Sequence, residues 1–393
     1  MKFDYDVIIV GGRVAGSATA MLLARLGYRV LIIDRSHPSK YTLSTHAIMR
    51  SGVVQLQRWG LLPRILAHNT PPIRQIVLGF GEKEISFDFR EAFGVDALYA
   101  PQRHILDTEL LAAATEAGAE FRVGYRLLDL IFAENGRVTG ILVDVNGVKA
   151  ELRARFVVGA DGLRSRVAAA VNAAAYETHP AVSTYTYAYF AGVASGSYDA
   201  YFVPGAAAGF IPTNDGLTAA FAARPNNGRL INDEEYYQLV EKSSPNMLAQ
   251  LKTAERQSPF YRTLGIPGFL RVPGGPGWAL VGDAGFTKDP LSAHGISDAF
   301  RDAELLANAV DAVLSERQPE AEALAAYHQT RDRFALPVHK ATSALAHYAW
   351  DAAEASALMR QLGRLTDEEC DFLLTLPGTG IPLQPAEAVM VLP

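Results

Sequence analysis

The order of apolar and polar residues over the first 35 positions predicts a strand, a helix and a second strand. Val7 to Val10 and Val30 to Ile33 are short apolar runs rich in β-branched residues, which is typical of strands buried on both faces. Between them, Ser17 to Leu26 mixes small and large apolar residues as a buried helix does, and Gly27 is placed to end that helix. The chain therefore opens with a predicted βαβ unit.

Glycines crowd the turn between the first strand and the helix. The turn reads Gly11-Gly12-Arg13-Val14-Ala15-Gly16, and the second strand ends at Asp34. Such a turn exposes free N–H groups of a helix N-terminus to a pyrophosphate, while the acid accepts hydrogen bonds from a ribose. Arg13 stands where the usual Gly-x-Gly-x-x-Gly pattern has its second glycine, so it is either an added phosphate contact or an exposed turn arginine. The unit predicts a dinucleotide site.

The remaining pattern predicts an interrupted α/β fold. Helices are expected over residues 53–66, 102–117, 233–257, 295–314 and 320–333, and residues 338–365 are expected to be mostly helical. A hairpin is expected over 73–89, three strands within 119–145, two strands within 148–159, and further strands within 183–223 and 278–281. The dinucleotide-binding domain comprises residues 1–72, 99–179 and 265–335 in this interpretation. A mostly antiparallel sheet, residues 73–98 and 180–264, is inserted into it, and residues 336–393 form a helical C-terminal segment.

Composition and charge narrow the class of protein. The chain has 393 residues, enough for two domains, and its net charge of −6 argues against a general nucleic-acid binder. Cys370 is the only cysteine, so neither a disulfide framework nor a thiolate metal cluster is expected. No leader precedes the first strand and no stretch has the length of a membrane span, which favours a soluble, cytoplasmic protein. A monomer and a homodimer both remain open.

Two later motifs extend the nucleotide prediction to a flavin. In the first, the apolar run ending at Gly159 leads into Ala160-Asp161-Gly162 and a basic helix start. In the second, Leu280-Val281 leads into Gly282-Asp283, a loop containing Pro290, and a long helix that begins at Gly295 and Ile296. An acid at the end of a strand can hold a ribityl hydroxyl, and the N–H groups of a helix N-terminus stabilise negative charge on reduced flavin.

Together the three motifs resemble the para-hydroxybenzoate-hydroxylase-type flavoproteins, the group A FAD monooxygenases, and their halogenase and geranylgeranyl-reductase relatives. The resemblance covers the chain to about residue 335 and implies a Rossmann-like FAD domain of the glutathione-reductase type, with the inserted sheet as substrate domain. Arg103 matches an arginine near the FAD pyrophosphate and ribityl chain, and Leu127 matches a residue on the adenine side. The predicted FAD contacts are Gly11, Gly12, Arg13, Val14, Ala15, Gly16, Asp34, Arg35, Arg103, Leu127, Asp161, Gly282, Asp283, Pro290, Gly295 and Ile296.

This sequence departs from the family pattern at three positions. Phe286 stands where many members have His, Ala293 replaces a Gly, and Ser297 replaces an Asn. These departures affect the flavin contacts in detail and leave the flavin prediction in place.

The family resemblance implies a monooxygenase. NAD(P)H reduces FAD, O₂ adds at C4a as a hydroperoxide, and one oxygen passes to an aromatic or apolar small molecule by hydroxylation or epoxidation. The chain has no second Gly-rich βαβ unit, which fits transient NAD(P)H binding. The alternatives are a geranylgeranyl-type reductase and a flavin-binding protein without monooxygenase activity.

Missing motifs weigh against two relatives. Halogenases carry Trp-x-Trp-x-Ile-Pro, whereas Trp59, Trp278 and Trp350 are far apart in this sequence. Geranylgeranyl reductases carry Tyr-x-Trp-x-Phe-Pro, and the stretch from Ala207 to Pro212 lacks its Tyr and Trp.

Candidate catalytic residues follow from position in the motifs. Lys288 and His294 lie in the loop before the long helix, and His294 immediately precedes Gly295. Both are therefore expected near the reactive edge of the flavin, with His294 as a neutral hydrogen-bond partner. The alternative for His294 is a ring that fills the loop and bonds a backbone carbonyl. His46 is either a substrate contact or a structural loop histidine. One strand face carries either the aromatic wall of a substrate pocket or a packing surface, made by Tyr185, Tyr187 and Tyr189.

Overall fold

The computed structural model describes residues 2–38 and 42–377. In chain order the strands are β1 (Tyr5–Val10), β2 (Val30–Asp34), β3 (Gln75–Phe80), β4 (Lys83–Asp88), β5 (Glu120–Val123), β6 (Tyr125–Phe132), β7 (Val138–Val145), β8 (Val148–Gly159), β9 (Ala175–His179), β10 (Ser183–Ala191), β11 (Tyr198–Val203), β12 (Ala206–Pro212), β13 (Leu217–Pro225), β14 (Glu255–Arg256), β15 (Tyr261–Thr263), β16 (Gly268–Arg271), β17 (Gly274–Gly275), β18 (Trp278–Leu280) and β19 (Phe286–Thr287).

The helices are α1 (Val14–Arg25), α2 (Arg50–Arg58), α3 (Leu62–Leu66), α4 (Arg103–Glu116), α5 (Arg166–Ala170), α6 (Asp233–Ser243), α7 (Pro245–Thr253), α8 (Gly295–Leu314), α9 (Glu320–Ala346) and α10 (Ala352–Thr375). Short 3-10 turns lie at Asn214–Gly216, Gly282–Ala284 and Pro290–Ser292.

The first sheet is built around the opening βαβ unit. Its strand order is β17-β18-β8-β1-β2-β5, and β1 runs parallel to both β2 and β8. Val7, Ile8 and Ile9 are fully buried, as their β-branched run predicted. The carboxyl ends of β1, β2 and β8 therefore meet at one edge of the sheet, where the Gly-rich turn, Asp34 and the segment after Gly159 follow them.

Helix α1 lies between the sheet and other helices. It packs against α4 and α8, and its small residues Ala18 and Ala20 are fully buried. Helix α10 packs in turn against α2 and α9. These contacts place the N-terminus of α8 beside the N-terminus of α1 and the turn that contains Gly282.

The second sheet is antiparallel except at one pair of strands. Its order is β14-β10-β13-β12-β11-β3-β4, with β15 also paired to β10, and only the β11–β3 pairing among these is parallel. The mixed α/β class with an added, mostly antiparallel sheet is confirmed. The strands come from residues 75–88 and 183–263, whereas the domain boundaries themselves stay a prediction.

Four helix predictions were wrong in extent, and one of them, over 338–365, is interrupted at residues 347–351 and continues to Thr375. The helix expected over 53–66 is broken because Gly60 adopts φ +71°, a conformation that favours glycine. The helix expected over 233–257 divides at Ser244, whose side chain caps α7 by accepting from Met247 N, and residues 255–256 are strand. Helix α9 does not end before Pro337 but continues through it to Ala346, since the residues after the proline are buried against the second sheet.

The strand predictions need one correction. Residues 148–159 form the single strand β8, whereas two strands were expected there. The other predicted strands are present, with ends shifted by a few residues.

Candidate functional site

A cavity of about 670 Å³ opens at the carboxyl edge of the first sheet. This volume lies within the range of roughly 300–1,000 Å³ that is typical of small-molecule and cofactor sites. Most predicted site residues line it, namely Gly11, Arg13, Val14, Ala15, Asp34, Arg35, His46, Arg103, Leu127, Asp161, Gly282, Asp283, Lys288, Pro290, Gly295 and Ile296. Gly12, Gly16 and His294 are not among its lining residues. The fold thus gathers residues from five separate parts of the chain.

The Gly-rich turn leaves no room for side chains. Gly11 has φ +109°, and a Cβ there would lie 2.3 Å from Ala160 O. A Cβ on Gly16 would lie 1.8 Å from Gly11 O, so the turn and the first turn of α1 are in direct backbone contact. Arg13 is the N-cap residue of α1 and lines the cavity. The helix therefore presents its free N–H groups to the cavity beside a cation, which fits a pyrophosphate.

Asp34 is held by the backbone on both of its oxygens. Oδ2 accepts from Gly12 N at 2.9 Å and Oδ1 accepts from Ser36 N at 3.0 Å. These bonds fix the carboxylate at the cavity wall next to Arg35. Because each carboxylate oxygen can accept more than one hydrogen bond, Asp34 can still accept hydrogen bonds from ribose hydroxyls.

Arg103 is positioned by a buried acid. Its guanidinium contacts Asp107 through Nη2 at 3.0 and 3.2 Å, and Asp107 is fully buried one turn along α4. Burial raises the pKa of Asp107, while the Arg103 charge lowers it. The pair orients a cation into the cavity and so fits the predicted contact with an anionic cofactor.

Asp161 is used by its own loop. Its oxygens accept from Ser165 Oγ at 2.5 Å and from Arg166 N at 2.6 Å. Burial raises the pKa of this carboxyl group, and the hydrogen bonds oppose the shift. The acid therefore lines the cavity mainly by ordering the turn into α5.

Asp283 differs, because no described residue hydrogen-bonds its carboxylate. The accessible surface of Asp283 faces the cavity, and that of Gly295 at the start of α8 does so as well. Burial raises the pKa of Asp283, and the Arg103 and Lys288 charges lower it. A carboxylate that faces the cavity beside a helix N-terminus fits a ribityl hydroxyl next to a flavin ring.

Lys288 lies at the cavity wall and is buried. Its Nζ forms an ion pair with Asp298 and sits 4.7 Å from the centre of the Phe286 ring. Burial lowers the pKa of Lys288 to about 7, with a further decrease from the Arg301 charge. Lys288 is therefore part of the cavity wall, and its position near the reactive edge of the flavin stays a prediction.

His294 is not among the residues that line the cavity, and its role at the reactive edge of the flavin stays a prediction. Its Nδ1 lies 2.5 Å from Ser292 O and its Nε2 lies 3.0 Å from Thr366 Oγ1 on α10, which occupies both ring nitrogens. Burial lowers the pKa of His294 to about 3, so the ring is neutral as expected. The ring fills the loop and bonds a backbone carbonyl, which was the alternative.

His46 contacts both the cavity and the second sheet. Its ring stacks on Tyr189 at 5.7 Å, and Nε2 is hydrogen-bonded to the Tyr189 hydroxyl. Its Nδ1 is buried without a partner among the described residues. Burial lowers the pKa of His46 to about 3, so it is a neutral hydrogen-bonding group.

The tyrosine face of β10 reaches loops of the first domain. Tyr185 donates to Asp289, the Tyr187 hydroxyl accepts from Ser44 N at 3.1 Å, and Tyr189 contacts His46. A second, smaller cavity of about 80 Å³ lies beside this face and is lined by Leu43, Ser44, Thr45, Tyr185, Tyr187, Tyr198, Ile211, Phe221, Tyr261, Thr263, Ile266, Pro290, Leu291 and Ala293. Several of these residues also line the first cavity, so the two are adjacent.

Three residues near the site were missed as site candidates in the sequence. Asp289 binds Tyr185 and caps the turn at Pro290, while Asp298 and Arg301 are buried charges on α8. For Asp298 and Arg301, the available signal was the presence of charged residues within an otherwise apolar, Ala-rich predicted helix. Among the described residues, no group of three or more His, Cys, Asp or Glu could hold a metal ion.

Comparison with known proteins identifies the family. Residues 4–342 match the FAD binding domain family, and the chain belongs to that family. It is 26% identical over 342 residues to digeranylgeranylglycerophospholipid reductase of Methanocella arvoryzae, covering 83% of this chain and 82% of the reductase.

Two further similar proteins have other activities, a hydroxylase and a brominase. The chain is 32% identical over 183 residues to aklavinone 12-hydroxylase DnrF of Streptomyces peucetius subsp. caesius, covering 42% of this chain and 37% of the hydroxylase. A triple mutant of the flavin-dependent brominase Bmp2 superposes with a TM-score of 0.80 at 18% identity, covering 93% of this chain and 94% of the brominase. The protein is an FAD-dependent oxidoreductase by family, and the residues that contact FAD stay a prediction. Within residues 2–38 and 42–377, no helix is long and apolar enough to cross a membrane.

Proposed function

We propose that this protein is an NAD(P)H-dependent FAD monooxygenase that hydroxylates or epoxidises a neutral aromatic or apolar small molecule. The observation that carries the proposal is the second cavity, because its described lining contains four tyrosines and no Lys, Arg, Asp or Glu. Aromatic rings and hydroxyl groups without a compensating charge favour a neutral, ring-containing substrate. The expected O₂ dependence and NAD(P)H requirement belong to the same proposal.

The size of the cavity favours a compact substrate over a lipid. At about 80 Å³ it is far smaller than the roughly 300–1,000 Å³ of sites that enclose a drug-sized ligand. A single ring or a short apolar group could enter it from the adjacent cofactor cavity. A phospholipid with two long branched chains would need a much larger apolar surface and a cation for its phosphate.

FAD, when bound, supplies two-electron redox chemistry and reaction with O₂, and the chain supplies binding and positioning. The N-terminus of α1 and Arg13 would hold the pyrophosphate, Asp34 the ribose and Asp283 the ribityl chain. The N-terminal N–H groups of α8 would stabilise negative charge on the ring. Tyr185 and Tyr187 would orient the substrate and exclude water from it.

A second candidate function is reduction of a prenyl chain. It is supported by the similarity to the digeranylgeranylglycerophospholipid reductase, which extends over 82% of that protein. The two reactions differ in product mass, because oxygenation adds an oxygen atom whereas reduction adds two hydrogens per double bond. The monooxygenase is favoured here on the lining and size of the second cavity.

The experiment is a product analysis with labelled oxygen. Purified protein with FAD and either NADH or NADPH is incubated with neutral phenols, polyketides and a geranylgeranylated glycerophospholipid under ¹⁸O₂. A product that carries one ¹⁸O atom is expected from a neutral aromatic compound. Reduction of the lipid without oxygen uptake would instead establish the reductase and refute the proposal.

A pocket variant tests whether the second cavity is the substrate site. Ile211→Phe adds volume to a residue that is 1% exposed and lines this cavity, so product formation should fall while bound FAD is retained. Ile85→Phe makes the same change on β4 of the same sheet, outside both cavity linings, and is the matched control. Equal turnover in both variants would place the substrate elsewhere.

A further inference from the structure

A chain of buried charges runs from the C-terminal helix to the wall of the cofactor cavity. Glu369 on α10 accepts from Arg301 Nη1 at 3.1 Å, and the same nitrogen donates to Asp298 at 2.9 Å. Asp298 forms the ion pair with Lys288, which lines the cavity. Asp302 is a third acceptor for Arg301, at 2.7 Å. The side chains of these five residues are between 0 and 6% exposed.

Packing alone gives little reason to keep this chain of charges. Ion pairs removed from water lose hydration, and apolar residues of similar volume often stabilise a fold as well or better. The binding contacts proposed for FAD use Arg13, Asp34, Arg103 and Asp283, and none of them explains Lys288 or Glu369. What distinguishes the chain of charges is that one end reaches the cavity.

The groups around Lys288 shift its pKa in opposite directions. Burial and the Arg301 charge lower its pKa, the nearby acids raise it, and the pKa is about 7. The charged and titratable groups that face it from the elements around it are Asp283, His294, Asp298, Arg301, Asp302, His339 and Glu369. His294 has a pKa lowered by burial to about 3, and burial also lowers the pKa of His339, so both rings are neutral near pH 7. A new negative charge in the cavity would therefore find Lys288 as a group ready to gain a proton.

We propose that Lys288 takes up a proton when the bound flavin is reduced, and that Glu369 sets the charge of Lys288 through Arg301 and Asp298. The hydride of NAD(P)H brings two electrons and one proton to the flavin, which keeps one negative charge. A second proton moves from solvent to the Lys288 Nζ lone pair and balances that charge. Glu369 is a positioning residue in this scheme, and the inference rests on the proposed placement of FAD in the cavity.

The test is the reduction potential of the FAD-loaded protein as a function of pH, without substrate or O₂. In a two-electron couple, one proton per reduction changes the equilibrium tenfold per pH unit, about 30 mV, and two protons change it hundredfold, about 59 mV. The reduction potential of the wild type should fall by about 30 mV per pH unit below about pH 7 and by about 59 mV per pH unit above it. Lys288→Met should keep the single-proton slope through that region and be at least tenfold harder to reduce at pH 8.

Matched controls separate the proposal from general effects. Lys340→Met makes the same change at a surface lysine whose side chain is 65% exposed, and it should behave as the wild type. Glu369→Gln removes a charge that raises the Lys288 pKa, so the slope of potential against pH should change at a lower pH than in the wild type. Asp367 is an exposed acid two residues earlier on α10, and Asp367→Asn should leave the pH of the slope change as it is in the wild type.

Two results would overturn the inference. One is a change of slope in Lys288→Met at the same pH as in the wild type. The other is a change of slope in Glu369→Gln at the same pH as in the wild type and in Asp367→Asn. If Lys288→Met loses FAD, the Glu369→Gln result decides alone. Because substrate is absent, neither result depends on whether the enzyme is a monooxygenase or a reductase, whereas a wild type that binds no FAD would refute the proposed function instead.

Discussion

Replacing Gly16 by Ala probes the contact on which the nucleotide end of the cavity depends. Gly16 lies in the first turn of α1, and a Cβ at this position would lie 1.8 Å from Gly11 O and 3.1 Å from Ala160 Cβ. Real Cβ atoms essentially never come within 3.0 Å of such an atom, so the backbone of the turn has to move. The nearest obstacle is a carbonyl of the turn that the pyrophosphate would contact, and no flexible side chain can yield in its place.

Two opposing energies set the size of the effect. Ala is favoured over Gly in a helix interior by about 1 kcal/mol. Overpacking a tight contact costs roughly 1–3 kcal/mol and occasionally more, and a clash between backbone atoms belongs at the upper end. We therefore expect Gly16→Ala to lose about 2 kcal/mol of stability and at least tenfold in FAD affinity, since tenfold corresponds to about 1.4 kcal/mol.

The measurements are the urea midpoint of the apoprotein and the FAD dissociation constant from flavin fluorescence. Gly363→Ala is the matched control, because Gly363 lies inside α10 and a Cβ there meets nothing within 4 Å. That control should gain up to about 1 kcal/mol and keep its FAD affinity. If Gly16→Ala has wild-type affinity and midpoint, the turn is not constrained by this contact and the reasoning fails.

Two further predictions concern Asp283 and His294. Asp283→Ala should weaken FAD binding by roughly 1–3 kcal/mol through loss of an acceptor and leave the stability of the apoprotein nearly unchanged, because the side chain is exposed towards the cavity; equal FAD dissociation constants in fluorescence titrations would exclude the ribityl contact. The pKa of His294 is lowered to about 3 in the folded state, against about 6.5 unfolded, so the unfolded state binds more protons between these values and stability is lost as pH falls through them. His294→Asn should reduce the slope of unfolding free energy between pH 6 and pH 4 by up to about 1.4 kcal/mol per pH unit, and urea unfolding at several pH values would contradict this if the slopes agree.

The parts of the fold that the sequence predicted are those with strong local signals. Helix α8 was predicted over Gly295 to Leu314 and has those bounds, since its apolar periodicity is long and starts at a glycine after a proline-containing loop. The opening unit was predicted for the same reason, as its two β-branched runs enclose a glycine turn and one helix. In both cases the residues that set the structure are close together in the chain.

The helix breaks at Gly60 and Ser244 have local causes, whereas other differences from the predictions came from contacts between distant segments. Whether α9 stops before Pro337 depends on how much apolar surface the next turns bury against the second sheet, and no local pattern records that. The direction of the His294 ring depends on Thr366, 72 positions later, which offers Nε2 a partner on α10. Asp289 likewise has meaning only beside Tyr185, 104 positions away.

The two cavities are built from different kinds of structure. The cofactor side is built from backbone turns and helix ends, which constrain the residues at Gly11 and Gly16 whatever the substrate is. The proposed substrate side is one face of an antiparallel sheet, where every second residue can change without disturbing the strand pairing. In this chain that face carries Tyr185, Tyr187 and Tyr189, and each hydroxyl is hydrogen-bonded to a loop that lines the cofactor cavity. A substitution on this face therefore alters the proposed substrate pocket and the loops of the cofactor cavity together, so we expect a variant with a changed substrate to differ also in the efficiency with which flavin reduction is coupled to product.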